Sequence, residues 1–268
     1  MNAVPVSRSW ARRTTARSTT QISLAWDAST DDTAVAGYVV SRNGVDLPAT
    51  TQTTLTATGL TPGTTYSYAV RATDAALNAS APSAPLAAAT HATTETLVAA
   101  KSVWKYTDDG VDRGTAWRAF NYDDSTWKSG AGILGYNQGD ESTVLYNGGA
   151  VQNLRYVSHY FRKSITVSDS AQITGLTLSL LRTDGAVVYV NGVEAFRDNM
   201  PTGTINFDTY AVNVLSSAER AQEIYHPFTI PASMLHDGTN VIAVSVHHAW
   251  RGGTDALSFD MRLSATYQ

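Results

Sequence analysis

Apolar and polar residues alternate along this chain in short runs broken by turn residues, and after about residue 18 no long stretch keeps a helical period. In QISLAWDAS, Ile22, Leu24 and Trp26 fall on one face, as side chains two apart must on a pleated strand. GYVVSRNGVDL predicts a strand, a tight turn at Asn43-Gly44 and a return strand. YSYAVRATD alternates again, with Tyr66, Tyr68, Val70 and Ala72 in phase. SAPSAPLAAATHATTET then mixes Pro, Ser, Ala and Thr without a period. A first domain is therefore expected over 18–90, a linker over 91–98 and a second domain over 99–268.

The second region repeats the rhythm at greater length. In LTLSLLRTDGAVVYVNGVEAF, Leu176, Leu178 and Leu180 share a face, Asp184-Gly185 turns, AVVYV reads as a buried strand and Asn191-Gly192 closes a hairpin. NVIAVSVHH and LSFDMRLSATY are two further strands, the latter with Leu257, Phe259, Met261 and Leu263 on one side. Many short strands with one apolar face predict an all-β protein built from packed sheets.

Composition narrows the functions open to such a fold. The 268 residues carry a net charge of −4, leaving no basic stripe to displace counterions from nucleic acid. The apolar runs are too short to span a bilayer, and the absence of cysteine excludes disulfides, thiolate nucleophiles and cysteine-bound zinc. Arg12-Arg13 lies in a basic start, yet TTARSTTQ follows instead of the apolar stretch an export signal needs. Residues 1–17 are therefore expected as a disordered or added start, with a degraded first strand as the alternative.

Trp26 on an early strand, GYVVSRNG, GLTPGTTYSYAVRATDAALNAS and the closing SAPSAP together resemble a fibronectin type III domain over 18–90. That resemblance implies a sandwich serving as spacer or interaction module. WKYTDDGVDRGTAWRAFNYDDSTWKSGAGILGY, HYFRKSITV, LLRTDGAVVYVNGVEAFRDNMP, FTIPASMLHDGTNVIAVSVHH and LSFDMRLSA resemble the galactose-binding-like jelly-roll modules appended to secreted bacterial hydrolases. The second resemblance implies a secreted accessory module that binds a polysaccharide or other glycan, its catalytic domain lying elsewhere in a longer chain. A plain structural or adhesive spacer and an unrecognised polysaccharide-acting enzyme are the alternatives.

The stretch VHHAWRGGTDALSFD gathers most of the candidate chemistry. Strict alternation sends His247 and His248 to opposite faces, so they cannot share a metal ion without a bulge. Two readings remain: His248 caps the core face while His247 is solvated or interstrand, or the segment is a ligand loop. In the second, Gly252-Gly253 opens a loop on which Trp250, Arg251 and Asp255, beside His247, supply an aromatic face and planar hydrogen-bonding groups. Trp104, preceding an acidic loop, is a second candidate platform, whereas Trp117 and Trp127 are expected in the core. Arg182 follows the leucines onto the core face and must either pair with Asp184 or a rim carboxylate, or line a cleft. The carboxylates of DDGVD and NYDDS are either solvated turns or part of a hard-cation site. The jelly-roll resemblance implies a structural calcium between an early loop and the last strand, with Asp123, Asp124 and Asp260 the matching positions. No serine-nucleophile elbow, phosphate loop or dinucleotide fingerprint is present.

Overall fold

The structure, a computed structural model, describes residues 13–30, 34–148, 156–214, 224–249 and 256–268. The chain divides into two compact units, one of Met1–Glu95 with Tyr267–Gln268 and one of Thr96–Thr266. Each is built from strands.

The first unit contains β1 (Arg13–Arg17), β2 (Ile22–Ala25), β3 (Gly37–Arg42), β4 (Val45–Asp46), β5 (Thr54–Ala57), β6 (Thr65–Thr73) and β7 (Leu86–Ala89). They form two sheets, ordered β1-β2-β5 and β4-β3-β6-β7. The alternation puts Ile22, Leu24 and Trp26 from one sheet against Tyr38, Val40, Tyr68, Val70 and Ala72 from the other. Trp26 meets Tyr38 edge-on at 5.6 Å. Asn43 and Gly44 both take positive φ, 51° and 81°, the mirror-image turn whose twist suits a two-residue hairpin. One expectation needs correcting: Arg13–Arg17 is a strand, paired antiparallel to β2 with a register shift between Thr14 and Ala16, so the alternative of a degraded first strand holds there. Residues 1–12 lie outside the described residues.

β8 (Thr94–Val98) occupies much of the expected linker, because TETLV keeps the two-residue alternation that the preceding Ala- and Pro-rich run lacks. The second unit continues with β9 (Val103–Thr107), β10 (Lys128–Ala131), β11 (Leu134–Tyr136), β12 (Thr143–Val144), β13 (Ser158–Val167), β14 (Ile173–Arg182), β15 (Gly185–Val190), β16 (Val193–Asp198), β17 (His226–Ile230), β18 (Gly238–His247) and β19 (Leu257–Tyr267). One sheet runs β10-β9-β13-β18-β15-β16 and the other has the path β12-β11-β19-β14-β17. Leu176, Leu178 and Leu180 on β14 and Phe259, Met261 and Leu263 on β19 are all fully buried, as their shared phase requires. Phe259 links the sheets, stacking on Phe161 of β13 at 4.1 Å and meeting Trp104 of β9 edge-on at 5.0 Å. Both units are β-sandwiches, and the fold is all-β.

Candidate functional site

The second unit carries a cleft of about 350 Å³ at the β9–β10 edge of its first sheet. β9 delivers Tyr106 and Thr107, then runs directly into the acidic loop DDGVDRG. Antiparallel register sets Lys128 of β10 opposite Tyr106, so its ammonium lies 5.9 Å from the centre of the tyrosine ring. The same ammonium donates to Asp108 Oδ1 at 2.7 Å, while Asp108 Oδ2 accepts the Tyr146 N–H at 2.8 Å. One buried carboxylate thus ties the segment at 146 to the loop and to β10.

The neighbouring carboxylate organises the rest. Asp109 accepts the Val111 N–H at 3.1 Å and pairs with the Arg113 guanidinium. Arg113 also donates to Thr107 Oγ1 at 3.0 Å, and its guanidinium carbon lies 5.5 Å from the centre of the Trp127 ring. Burial works to raise the Asp109 pKa, but the Val111 and Thr107 hydrogen bonds and the Arg113 charge hold it below the usual range. The hydrogen bond that Lys128 donates to Asp108 pushes the Lys128 pKa up, and burial raises Tyr106 and Tyr156. At neutral pH the cleft therefore presents two intact ion pairs and neutral phenols.

Tyr146 and Tyr156 supply the aromatic wall, edge-on to each other at 6.0 Å. Tyr146 is 53% exposed, so its ring is available to a ligand. Gly110 makes this wall possible: φ is +71°, and an added Cβ would stand 2.1 Å from Tyr156 Cε1. Gly110→Ala is accordingly expected to push the Tyr156 ring aside and strain the loop, lowering the melting temperature by a few degrees, for about 1–2 kcal/mol of backbone strain. An unchanged thermal transition would show that the loop relaxes without cost.

The sequence-derived candidates fall elsewhere. Trp104 is completely buried, because its position on β9 turns it inward against Phe259, so it is no stacking platform. His247 and His248 do point to opposite sides: His247 Nε2 lies 2.9 Å from Ser245 Oγ on the same strand, while His248 Nε2 lies 2.5 Å from the Tyr136 hydroxyl. His247 is not solvated, however, since the segment around Phe207 covers it and Thr209 O accepts from its Nδ1 at 2.9 Å. The Ser245–His247 pair has the spacing of an activated nucleophile, but the adjoining cavity is only about 10 Å³ and admits no substrate. Arg182 pairs with Asp198, not Asp184, through an Nε hydrogen bond of 2.8 Å. Asp184 is buried at a turn and accepts the Ala249 N–H at 2.9 Å. Both are structural. Trp250, Arg251 and Asp255 lie outside the described residues.

Asp123, Asp124 and Asp260, the positions expected for calcium, each accept hydrogen bonds from protein groups. Asp123 Oδ1 accepts the Ser125 N–H at 2.9 Å, and Asp124 Oδ2 accepts from Arg162 Nε at 2.8 Å. Asp260 Oδ2 accepts from both the Lys101 N–H and the Tyr225 hydroxyl, each at 2.6 Å, while its buried Oδ1 has no hydrogen-bond partner. Among the described residues, no group of three or more carboxylate and imidazole side chains could hold a metal.

Sequence reasoning missed Arg113, Lys128, Tyr146 and Tyr156, and took Asp108 only for a solvated turn or a hard-cation ligand. The signal was present in DDGVDRG, whose carboxylates suggested a cation loop, but their cationic partners are a β10 lysine and an arginine four residues on. Only strand pairing brings Lys128 there.

The fibronectin type III domain family matches residues 11–89, and the first unit is a fibronectin type III domain. Exoglucanase B of Cellulomonas fimi is 32% identical over 240 residues, covering 88% of this chain and 19% of its own length. Chitinase Chi52 of Paenibacillus xylanexedens is 54% identical over 71 residues, covering 26% of this chain and 14% of its own. The chain thus spans less than a fifth of the length of either relative. Among solved structures, the solution structure of the fibronectin type III domain of human fibronectin type III domain containing protein 3 is 18% identical with a TM-score of 0.31, covering 34% of this chain and 91% of that one. No helix among the described residues is long and apolar enough to cross a membrane.

Proposed function

We propose that the chain is a non-catalytic accessory region of a secreted bacterial polysaccharide-acting enzyme, in which a fibronectin type III domain carries a galactose-binding-like jelly-roll module that recognises glycan. The relatives named exoglucanase and chitinase support the setting, with catalysis in a separate domain of a longer chain. The observation that carries recognition is the Tyr146 face, 53% exposed beside the Asp108–Lys128 and Asp109–Arg113 pairs. A pyranose offers a C–H surface that packs on an aromatic ring and a rim of hydroxyls that both donate and accept. The cleft supplies one group for each demand: Tyr146 and Tyr156 for the ring, and the remaining N–H groups of Lys128 and Arg113 with the carboxylate lone pairs for the hydroxyls.

Tyr146→Ala is expected to reduce retention on insoluble cellulose or chitin about tenfold, the worth of roughly 1–1.5 kcal/mol of ring contact. The melting temperature should hold, because half of that side chain is already in water. Pull-down isotherms with both proteins check it, and equal retention of variant and parent removes this cleft as the binding surface.

A further inference from the structure

We infer that this cleft selects neutral glycans over acidic ones. The inference rests on the recognition reading above and names the substrate class within it. Four charged side chains line the cleft, Asp108, Asp109, Arg113 and Lys128, and they cancel in pairs. A uronic acid or sulfated sugar needs a cation free to meet it, and both cations here already face a carboxylate at contact distance.

Taking Lys128 from Asp108 is costly. Asp108 is 4% exposed, and Lys128 Nζ is the cation within hydrogen-bond reach of its Oδ1. A ligand carboxylate that captured Lys128 would leave a buried anion uncompensated and place a second anion beside it. Arg113 is held from two sides, by Asp109 and by the Thr107 hydroxyl, while its guanidinium covers the Trp127 ring. Neutral hydroxyls ask for no such displacement. Lys128 has three N–H donors and Arg113 five, more than their carboxylate partners use, so hydroxyl oxygens can be served while both pairs stay closed. Binding of that kind involves little net charge and should respond weakly to salt.

The test is titration calorimetry of the whole chain with cellohexaose, chitohexaose and hexagalacturonate, at low and high sodium chloride. Binding of a neutral hexamer, with hexagalacturonate at least about tenfold weaker and the neutral affinity changing less than about twofold with salt, is the expected result. Hexagalacturonate binding as tightly as the neutral hexamers, and weakening with salt, overturns neutral selection while leaving glycan recognition standing. Failure of all three ligands refutes recognition itself, and the inference with it. Two variants sharpen the result. Asp108→Asn frees Lys128 and Asp109→Asn frees Arg113, and either should raise hexagalacturonate affinity about tenfold over the parent. Asp109 is half exposed, so its variant keeps the fold even where Asp108→Asn does not. Unchanged hexagalacturonate affinity in a folded Asp109→Asn protein also counts against the charge-pair argument.

Discussion

Lowering the pH from 7 to 4 is expected to unfold the second unit, driven by two histidines that are neutral when folded. His159 and His247 are each 1% exposed, and burial, as the largest influence, lowers both pKa values to about 4. For His159 the nearby His248 charge acts in the same direction, whereas for His247 the hydrogen bond to Thr209 O opposes it. In the unfolded chain each titrates near 6.5, so between pH 6.5 and 4 the unfolded state binds protons that the native state refuses. Above pH 6.5 neither state is protonated and the histidines add no pH dependence. Below that value each removes about 1.4 kcal/mol of stability per pH unit, until the folded pKa is reached. Together the two approach a loss of about 6 kcal/mol across the window, comparable with the total stability of many domains. Thermal melts at half-unit steps from pH 8 to 4 measure the slope. His159→Gln, which keeps a donor for the Tyr146 carbonyl that His159 Nε2 meets at 3.2 Å, should flatten it by about half. A melting temperature constant to pH 4.5 would contradict the burial argument.

Replacing Arg162 is expected to cost about 3 kcal/mol or more, and to reduce ligand binding as well. The side chain is 2% exposed, donating to Asp124 Oδ2 at 2.8 Å, to Ala119 O at 3.1 Å and to Trp117 O. Its guanidinium carbon also lies 5.3 Å from the centre of the Tyr122 ring. Arg162→Met fills the volume but leaves these carbonyls and one carboxylate without their donor. For a unit of this size the loss corresponds to a fall of about 6–12 °C in melting temperature. Binding follows because Trp127, a wall of the cleft, donates its backbone N–H to Asp124 O at 3.0 Å, so the segment Arg162 pins is the one that seats Trp127. Arg162→Lys should recover only part of the stability, since one ammonium cannot span the same acceptors. A melting temperature within 2 °C of the parent for Arg162→Met would show the pair to be dispensable.

The strands were legible because alternation is a local property. Ile22, Leu24 and Trp26, or Leu176, Leu178 and Leu180, share a face through pleat geometry alone, and every one of them is buried. The opposite facings of His247 and His248 followed from the same rule. Degree of burial did not follow, because a two-residue period assigns a face without saying what covers it. Trp104 and His247 both suited a solvent-facing ligand site in type, and both are sealed, one by Phe259 and the other by the segment around Phe207. Asp108 and Asp109 looked like cation ligands because the cations that answer them come from β10 and from the far end of the loop.

By itself the sequence determined an all-β chain, a fibronectin type III domain at its start, the phases of its core strands and its tight Asn-Gly turns. These depend on interactions between residues two to four apart, which the order of residues specifies directly. Tertiary structure decided which polar groups meet: Asp108 with Lys128, Arg162 with Asp124, Tyr146 with Tyr156. Those partners stand 10 to 38 residues apart and come together only through strand register and loop closure, so their chemistry exists only once the sheets have formed.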